Sequence, residues 1–169
     1  LTKEITLRGI DPSRLIFGKR LSKSEYLARY RVANLFLDTH PYNAGTTASD
    51  ALRMGLPVLT YLGSSAVSRH AASILTALNL PELITTTLEE YESLAIKLAT
   101  DSKKLKLIKD KLVGNLSTAP LYDTYLFARN IESAYSMMYD RYQRGLDPDH
   151  IYAESIKMEA QQGLTRLEL

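Results

Sequence analysis

Four short apolar runs, each followed by a stretch long enough for a helix, constrain the fold of this chain more than any other feature. The runs occupy residues 15–17, 35–37, 58–60 and 82–84. Buried parallel strands are short and apolar without alternation, because both faces of their sheet are covered. The repeated strand–helix order predicts an α/β fold with an open parallel sheet and right-handed crossovers, in which residues 35–37 form the central strand.

Helix-start signals support the boundaries of this pattern. Ser22 is followed three residues later by Glu25, and Thr87 by Glu90, and each pair has the spacing of a capping box. The first pair predicts a helix that continues to Arg31. The second predicts a helix whose apolar face consists of Leu88, Tyr91, Leu94, Ala95 and Leu98.

After residue 84 the pattern predicts only helices. One over residues 102–116 has lysines and Asp110 on its outer side, which indicates a solvated face rather than a nucleic-acid surface. A long helix over 124–144 follows, with Gly145 at a cap position, and 151–161 is interpreted as a final helix or a tail that needs a partner to order. The predicted inward residues are Leu105, Ile108, Leu112, Val113 and Leu116 in the first helix, and an apolar stripe of Ala128, Ile131, Tyr135, Met138 and Tyr142 in the second. We divide the chain into a domain over 1–122 and C-terminal helices over 123–169.

The segment between the second and third apolar runs carries the strongest functional signal. Residues 38–50 read DTHPYNAGTTASD, a small-residue loop that leads into a helix. A helix N-terminus offers free N–H groups to an anion, Thr46 and Thr47 add hydroxyl donors, and Gly45 lets a ligand approach the backbone. Asp50 lies one turn further on the same face and can accept hydrogen bonds from ribose hydroxyls. Phosphate donors beside a ribose acceptor indicate a nucleotide site; ordinary helix capping is the alternative.

Composition excludes several other classes of function. The chain has no cysteine, which excludes disulfides and thiolate metal sites. A net charge of +2 gives no electrostatic footprint for nucleic acid, and no apolar run approaches a membrane span. His40, His70 and His150 lack a metal-ligand spacing; we interpret His70, which we expect in the middle of a helix, and His150 as structural. We predict a cytoplasmic protein without a metal site and without nucleic-acid or membrane partners.

The same region resembles a known enzyme family. Residues 37–60 follow the pattern LDTxPYxxxTTxxDALxMGLPVLT, which is similar to the donor-binding half of the O-linked N-acetylglucosamine transferases and the related SPINDLY proteins. The resemblance extends over about residues 5–150. No single stretch is specific, but the many matching stretches together are. The further similar stretches, in the family's order, are GIDPSRLIF at 9–17, KSEYLARYR at 23–31, GSSAVSRHAAS at 63–73, YE at 91–92, AxKLAxD at 95–101 and ESAYSMMY at 132–139.

The resemblance implies a fold and an activity. The chain resembles part of the Rossmann-like C-terminal half of a GT-B glycosyltransferase, followed by C-terminal helices. The implied reaction transfers N-acetylglucosamine from UDP-N-acetylglucosamine to Ser or Thr of proteins, with inversion at the anomeric carbon, and uses neither cofactor nor metal. We expect three partners in a longer polypeptide. They are the first strands of this half-domain, the N-terminal half with the acceptor groove, and tetratricopeptide repeats. The chain alone is therefore expected to be inactive.

The resemblance also implies roles for individual residues. Lys23 matches the family lysine that contacts the diphosphate and is the expected catalytic cation. Tyr26 stands where the family has a histidine that stacks on uracil, and Arg29 matches an arginine near the nucleotide. Gly45 replaces a histidine found in animal members, and Arg53 replaces a common tryptophan. The implied nucleotide- and phosphate-binding set is Gly45, Thr46, Thr47, Asp50, Tyr26 and Arg29.

Alternative functions stay open at this point. Pro41 and Tyr42 favour the SPINDLY branch, which would imply GDP-fucose as donor and a protein O-fucosyltransferase. The absence of the family histidine permits a non-catalytic interaction module that retains the fold. An unrelated dinucleotide-binding domain is disfavoured, because the chain has no Gly-x-Gly-x-x-Gly run.

Overall fold

A computed structural model describes residues 1–153 of the chain. The strands are β1 (Phe36–Leu37), β2 (Val58–Tyr61) and β3 (Ile84–Thr85). The helices are α1 (Thr2–Leu7), α2 (Lys23–Arg29), α3 (Thr46–Arg53), α4 (His70–Ala77), α5 (Leu88–Thr100), α6 (Ser102–Leu116) and α7 (Thr124–Gln143). Short 3-10 turns at Pro12–Arg14, Tyr30–Val32, Ala66–Ser68, Pro81–Leu83 and Pro120–Tyr122 join several of these elements.

The three strands form one parallel sheet in the order β1-β2-β3. Phe36 pairs with Val58, and Thr60 pairs with Ile84. A helix follows each strand, so every crossover has the strand–helix–strand form that a parallel sheet requires. The predicted α/β fold with a parallel sheet is confirmed.

Two details of the predicted sheet are wrong. Residues 15–17 form no strand: they follow the 3-10 turn Pro12–Arg14, and the side chains of Ile16 and Phe17 are 90% and 65% exposed. A short apolar run becomes a strand only where a neighbouring strand pairs with its backbone, and these residues have no such partner in the described part of the chain. Consequently β1 lies at an edge of the sheet, and β2 is its central strand.

The core lies between β2 and the helices that cover the sheet. Val58 and Leu59 are fully buried, and they alternate above and below the sheet. Val113 was predicted to face inward but is 59% exposed, because it lies one position beyond the buried face that Leu112 occupies. The buried helical residues are Ala48, Ala51 and Leu52 of α3, Ala71, Ala72 and Leu75 of α4, Leu98 of α5, and Ile108 and Leu112 of α6.

Both predicted capping boxes are present. The side chains of Ser22 and Glu25 exchange hydrogen bonds with each other's backbone at the start of α2, as those of Thr87 and Glu90 do at the start of α5. The α-helical part of α2 ends two residues earlier than predicted, since the chain tightens into the 3-10 turn Tyr30–Val32. This turn brings the hydroxyl of Tyr30 to the start of α3, where it donates to the backbone carbonyl of Thr47.

The long C-terminal helix lies close to its predicted bounds. α7 covers Thr124–Gln143, and Gly145 follows with a φ of 65°, a left-handed conformation typical of a residue just past a helix end. None of its residues is fully buried, and most of the predicted apolar stripe is exposed. Of the predicted helix at 151–161, all but the first three residues lie outside the described part. No helix within residues 1–153 is long and apolar enough to cross a membrane.

Replacing Asp101 with alanine is expected to lower the free energy of unfolding by about 1 kcal/mol. Asp101 is the N-cap of α6, and its side chain accepts a hydrogen bond from the backbone N–H of Lys104 at 2.9 Å. Urea denaturation measures the effect. Asp110→Ala is the control: it breaks only an exposed ion pair with Lys106 on the same helix and should cost less than about 0.5 kcal/mol. Equal losses in the two variants would contradict the capping role.

Candidate functional site

An open cavity of about 500 Å³ lies at the carboxyl edge of the sheet. Its walls are the end of β1, the loop over residues 38–45, the first turn of α3 and the side chain of His70. In open α/β sheets, ligands bind outside the carboxyl ends of the strands. The cavity therefore has the position that the fold assigns to a ligand.

The N-terminus of α3 faces this cavity without a side-chain cap. The helix begins at Thr46, and its N-cap residue is Gly45, which has no side chain to accept a hydrogen bond from the first amides. The hydroxyl groups of Thr46 and Thr47 donate no hydrogen bond to any residue in the described part of the chain. Free amides, free hydroxyls and the positive end of the helix dipole thus point towards the same open space. This arrangement can bind an anion.

The buried carboxylate of Asp38 holds the loop in place. Its Oδ1 accepts hydrogen bonds from the backbone N–H of Thr39 at 2.8 Å and of Ala44 at 2.7 Å, so it ties the two ends of the loop together. Its Oδ2 accepts a hydrogen bond from the hydroxyl of Thr60 in β2 at 2.7 Å. The backbone carbonyl of the same residue accepts a further bond from the hydroxyl of Tyr91 at 2.9 Å. Asp38 therefore fixes the position of the loop relative to the sheet.

Asn43 is the second buried polar residue of this loop. Only 1% of it is exposed; its Nδ2 donates to the carbonyl of Thr39 at 2.8 Å, and its backbone N–H donates to the carbonyl of Val67 at 3.0 Å. Its Oδ1 is buried and has no partner in the described part of the chain. A buried amide oxygen without a partner can accept a hydrogen bond from a bound water or a ligand hydroxyl.

Tyr30 connects α2 to the same helix start. Its hydroxyl hydrogen-bonds the hydroxyl of Tyr26 and donates to the backbone carbonyl of Thr47 at 3.4 Å. Burial, reinforced by the contact with Tyr26, raises the pKa of the Tyr30 phenol well above its ordinary value, so this group remains a protonated donor. Sequence reasoning did not assign Tyr30, although its spacing of four residues from Tyr26 placed both on one helix face.

The other predicted residues do not line the cavity. Lys23 is the first residue of α2, is exposed, and has no hydrogen-bond or ion-pair partner within residues 1–153. The guanidinium of Arg29 lies over the ring of Tyr26 at 5.6 Å. Asp50 lies within α3, near Tyr30, whose pKa its charge also raises. The structure thus brings Gly45, Thr46 and Thr47 together at the cavity. It places Asp50 further along α3 and Lys23, Tyr26 and Arg29 on α2.

His70 corrects an expectation of the sequence analysis. It is the first residue of α4, not a mid-helix residue, and its side chain lines the cavity. His40, in contrast, packs against the ring of Tyr61 with ring centroids 4.4 Å apart. Residues 1–153 contain no group of three or more His, Asp or Glu side chains placed to hold a metal ion.

Comparisons with known proteins identify relatives of this chain. A model of glycosyl transferase family 41 matches residues 1–131. A UDP-N-acetylglucosamine–peptide N-acetylglucosaminyltransferase from Caenorhabditis elegans is 37% identical over 144 residues, which cover 85% of this chain and 12% of that protein. The probable enzyme SEC from Arabidopsis thaliana is 34% identical over 144 residues, with coverages of 85% and 15%. The probable enzyme SPINDLY from Hordeum vulgare is 36% identical over 124 residues, with coverages of 73% and 13%.

A solved structure extends the comparison to the fold. A mutant O-GlcNAc transferase from Thermobaculum terrenum superposes with a TM-score of 0.77 and 32% sequence identity, and the match covers 85% of this chain and 28% of that one. The fold is thus a fragment of the GT-B fold of those enzymes, as expected. This chain spans only 12–15% of the curated relatives described above. With a family match over residues 1–131 and identities of 34–37% to these relatives, the chain belongs to glycosyl transferase family 41.

Proposed function

We propose that this chain is the donor-binding part of a protein O-GlcNAc transferase, which transfers N-acetylglucosamine from UDP-N-acetylglucosamine to Ser or Thr hydroxyls of proteins. The observation that carries the proposal is the uncapped N-terminus of α3, where Gly45, Thr46 and Thr47 open onto the cavity at the carboxyl edge of the sheet. The names of the C. elegans and A. thaliana relatives describe transfer of N-acetylglucosamine from UDP-N-acetylglucosamine to peptides.

In the proposed complex, the diphosphate of the donor binds at the start of α3. The backbone amides and the hydroxyls of Thr46 and Thr47 neutralise part of its charge without a metal ion. Lys23 on the neighbouring helix α2 supplies a full positive charge as the bond to the sugar breaks and negative charge develops on the leaving diphosphate. Asp50, one turn into α3, accepts hydrogen bonds from the ribose hydroxyls.

Tyr26 is the proposed platform for the base. Any aromatic face can stack a base, so tyrosine serves as well as histidine in this role. The guanidinium of Arg29 already lies over one face of the Tyr26 ring at 5.6 Å. A base that stacks on Tyr26 therefore displaces this guanidinium or uses the opposite face of the ring.

The remainder of the polypeptide supplies the rest of the proposed enzyme. The acceptor groove and the group that removes the hydroxyl proton belong to the N-terminal half, and tetratricopeptide repeats present the protein substrate. We place the reaction in the cytoplasm, where a chain without cysteine is at no disadvantage because disulfides do not persist there.

Calorimetric titration of the full-length protein with UDP and with GDP tests the proposal. We expect binding of UDP. Binding of GDP alone would indicate that the donor is GDP-fucose. Binding of neither nucleotide would indicate a non-catalytic module.

Thr46→Val combined with Thr47→Val should weaken binding of UDP about 10-fold or more, because two hydroxyl donors to a charged group are lost. Thr124→Val, which changes the first residue of α7, is the matched control and should leave binding unchanged.

A further inference from the structure

The side chain of His70 lies next to Gly45, within van der Waals contact of the point where a side chain at position 45 would begin. A Cβ added to Gly45 would lie 3.6 Å from Nδ1 of His70, and no other atom outside the immediate chain neighbours comes within 4 Å of that point. His70 comes from α4, 25 residues further along the chain, and still lines the same cavity as Thr46 and Thr47. The imidazole therefore adjoins the uncapped start of α3.

A rigid connection between two loops sets the position of His70. The backbone N–H of the buried Asn43 donates to the carbonyl of Val67 at 3.0 Å, which joins the loop over 38–45 to the segment that leads into α4. That segment folds back on itself: the N–H of Gly63 donates to the carbonyl of Ser68 at 2.9 Å. Any side chain at position 63 would overlap the buried Ser68. His70 is thus held beside Gly45 by buried groups on both loops.

The ring of His70 is free to bind a ligand. The residue is exposed, and neither ring nitrogen has a hydrogen-bond or ion-pair partner in the described part of the chain. One ring nitrogen carries a proton in either neutral tautomer, and both do in the charged form, so the side chain can always donate a hydrogen bond. Since α4, like α3, begins without a side-chain cap, the amides of a second helix start adjoin this donor.

From this arrangement we infer that His70 is a diphosphate-binding residue. Its imidazole donates a hydrogen bond to a phosphate oxygen of the group that binds at the start of α3, on the side where Gly45 leaves room. This inference rests on the proposed function, because it assigns a further contact to the same nucleotide site. It distinguishes His70 from His40, whose ring packs against Tyr61 and does not line the cavity.

The test compares ligands with and without phosphates in the full-length protein. In His70→Val, the affinity for UDP should fall about 10- to 100-fold, the usual effect of losing one hydrogen bond to a charged group. The affinity for uridine, measured by competition, should change less than about 2-fold, since uridine lacks the phosphates. His70→Asn, which keeps an N–H donor close to the position of Nδ1, should recover most of the UDP affinity. His150→Val, which removes an imidazole from the chain after α7, is the control and should behave like the unmodified protein.

The results separate this inference from the proposed function. If the unmodified protein binds UDP and His70→Val binds it equally well, the inference about His70 is wrong while the proposed function stands. If His70→Val loses UDP and uridine by the same factor, or if His70→Asn fails to recover affinity, the histidine has only a structural role. If the unmodified protein binds neither UDP nor GDP, both are wrong.

Discussion

Replacement of Lys23 by alanine in the full-length protein is expected to lower kcat by a factor on the order of 10²–10³, the effect of removing one preorganised donor to developing charge. The leaving diphosphate gains negative charge only as the glycosidic bond breaks, so a cation placed beside it acts mainly on the transition state. KM for the nucleotide sugar should therefore change less than kcat. Steady-state transfer to an acceptor peptide measures both constants.

Asp50→Ala is the complementary variant. A carboxylate that binds the ribose contributes equally to the ground state and the transition state, so its loss should raise KM with a smaller change in kcat. Lys103→Ala controls for the loss of one positive charge, because Lys103 lies on the exposed side of α6. An unchanged kcat in Lys23→Ala together with a lost kcat in Asp50→Ala would reverse the two roles. No effect of either variant would place the nucleotide elsewhere.

Asp38→Ala is expected to release the loop over 38–45 from the sheet. The carboxylate is only 7% exposed and accepts three hydrogen bonds, from Thr39, Ala44 and Thr60. Hydrogen bonds to charged groups contribute about 1.5–3 kcal/mol each, and water can replace the carboxylate for the exposed Thr39 but not for the buried Thr60, so we expect a local loss of about 3–4 kcal/mol. Amide hydrogen exchange of Thr39 and Ala44 should accelerate by about 10²–10³-fold, since 1.4 kcal/mol corresponds to a factor of ten.

Thr60→Val provides a graded comparison with the same carboxylate. It removes one of the three donors and keeps the shape of the buried side chain, so exchange of the same amides should accelerate only about 10-fold. The amides of Ile108 and Leu112, on the buried face of α6, should exchange at an unchanged rate in both variants. Equal acceleration throughout the chain would mean that Asp38 supports global stability and not this loop.

Local signals in the sequence predicted the starts of α2, α5 and α6 and part of the core, including Val58, Leu59, Leu98, Ile108 and Leu112. Ser22 with Glu25, and Thr87 with Glu90, form their capping boxes within four residues, so spacing alone was sufficient. The start of α3 at Thr46 was predicted from the small-residue loop before it and its two hydroxyl residues, whereas the binding of an anion there stays a prediction. Residues 15–17 show the limit of this reasoning, because an apolar run does not say whether a neighbouring strand pairs with it.

The features that the sequence did not predict depend on contacts between distant positions. The sequence shows Asp38 as an acidic residue at the end of a strand. Its carboxylate accepts hydrogen bonds from Ala44 and Thr60, which lie 6 and 22 residues further along the chain, and the sequence does not predict these bonds. His70 was interpreted as a mid-helix structural residue, and only the tertiary fold places its ring beside Gly45. The resemblance includes the stretch that contains His70, but it assigns roles position by position and does not show which side chains from different elements lie together.

The exposed sides of α7 have a consequence for the local dynamics of this chain. The helix covers 20 residues, about 30 Å, and none of them is fully buried. Its first turn is capped, because the side chain of Asp123 accepts a hydrogen bond from the N–H of Leu126, but Tyr125, Phe127, Tyr139 and Tyr142 are more than half exposed along its length. Helices in proteins depend on packing more than on intrinsic propensity. Within this chain α7 should therefore open at a lower free-energy cost than α6, whose Ile108 and Leu112 are buried.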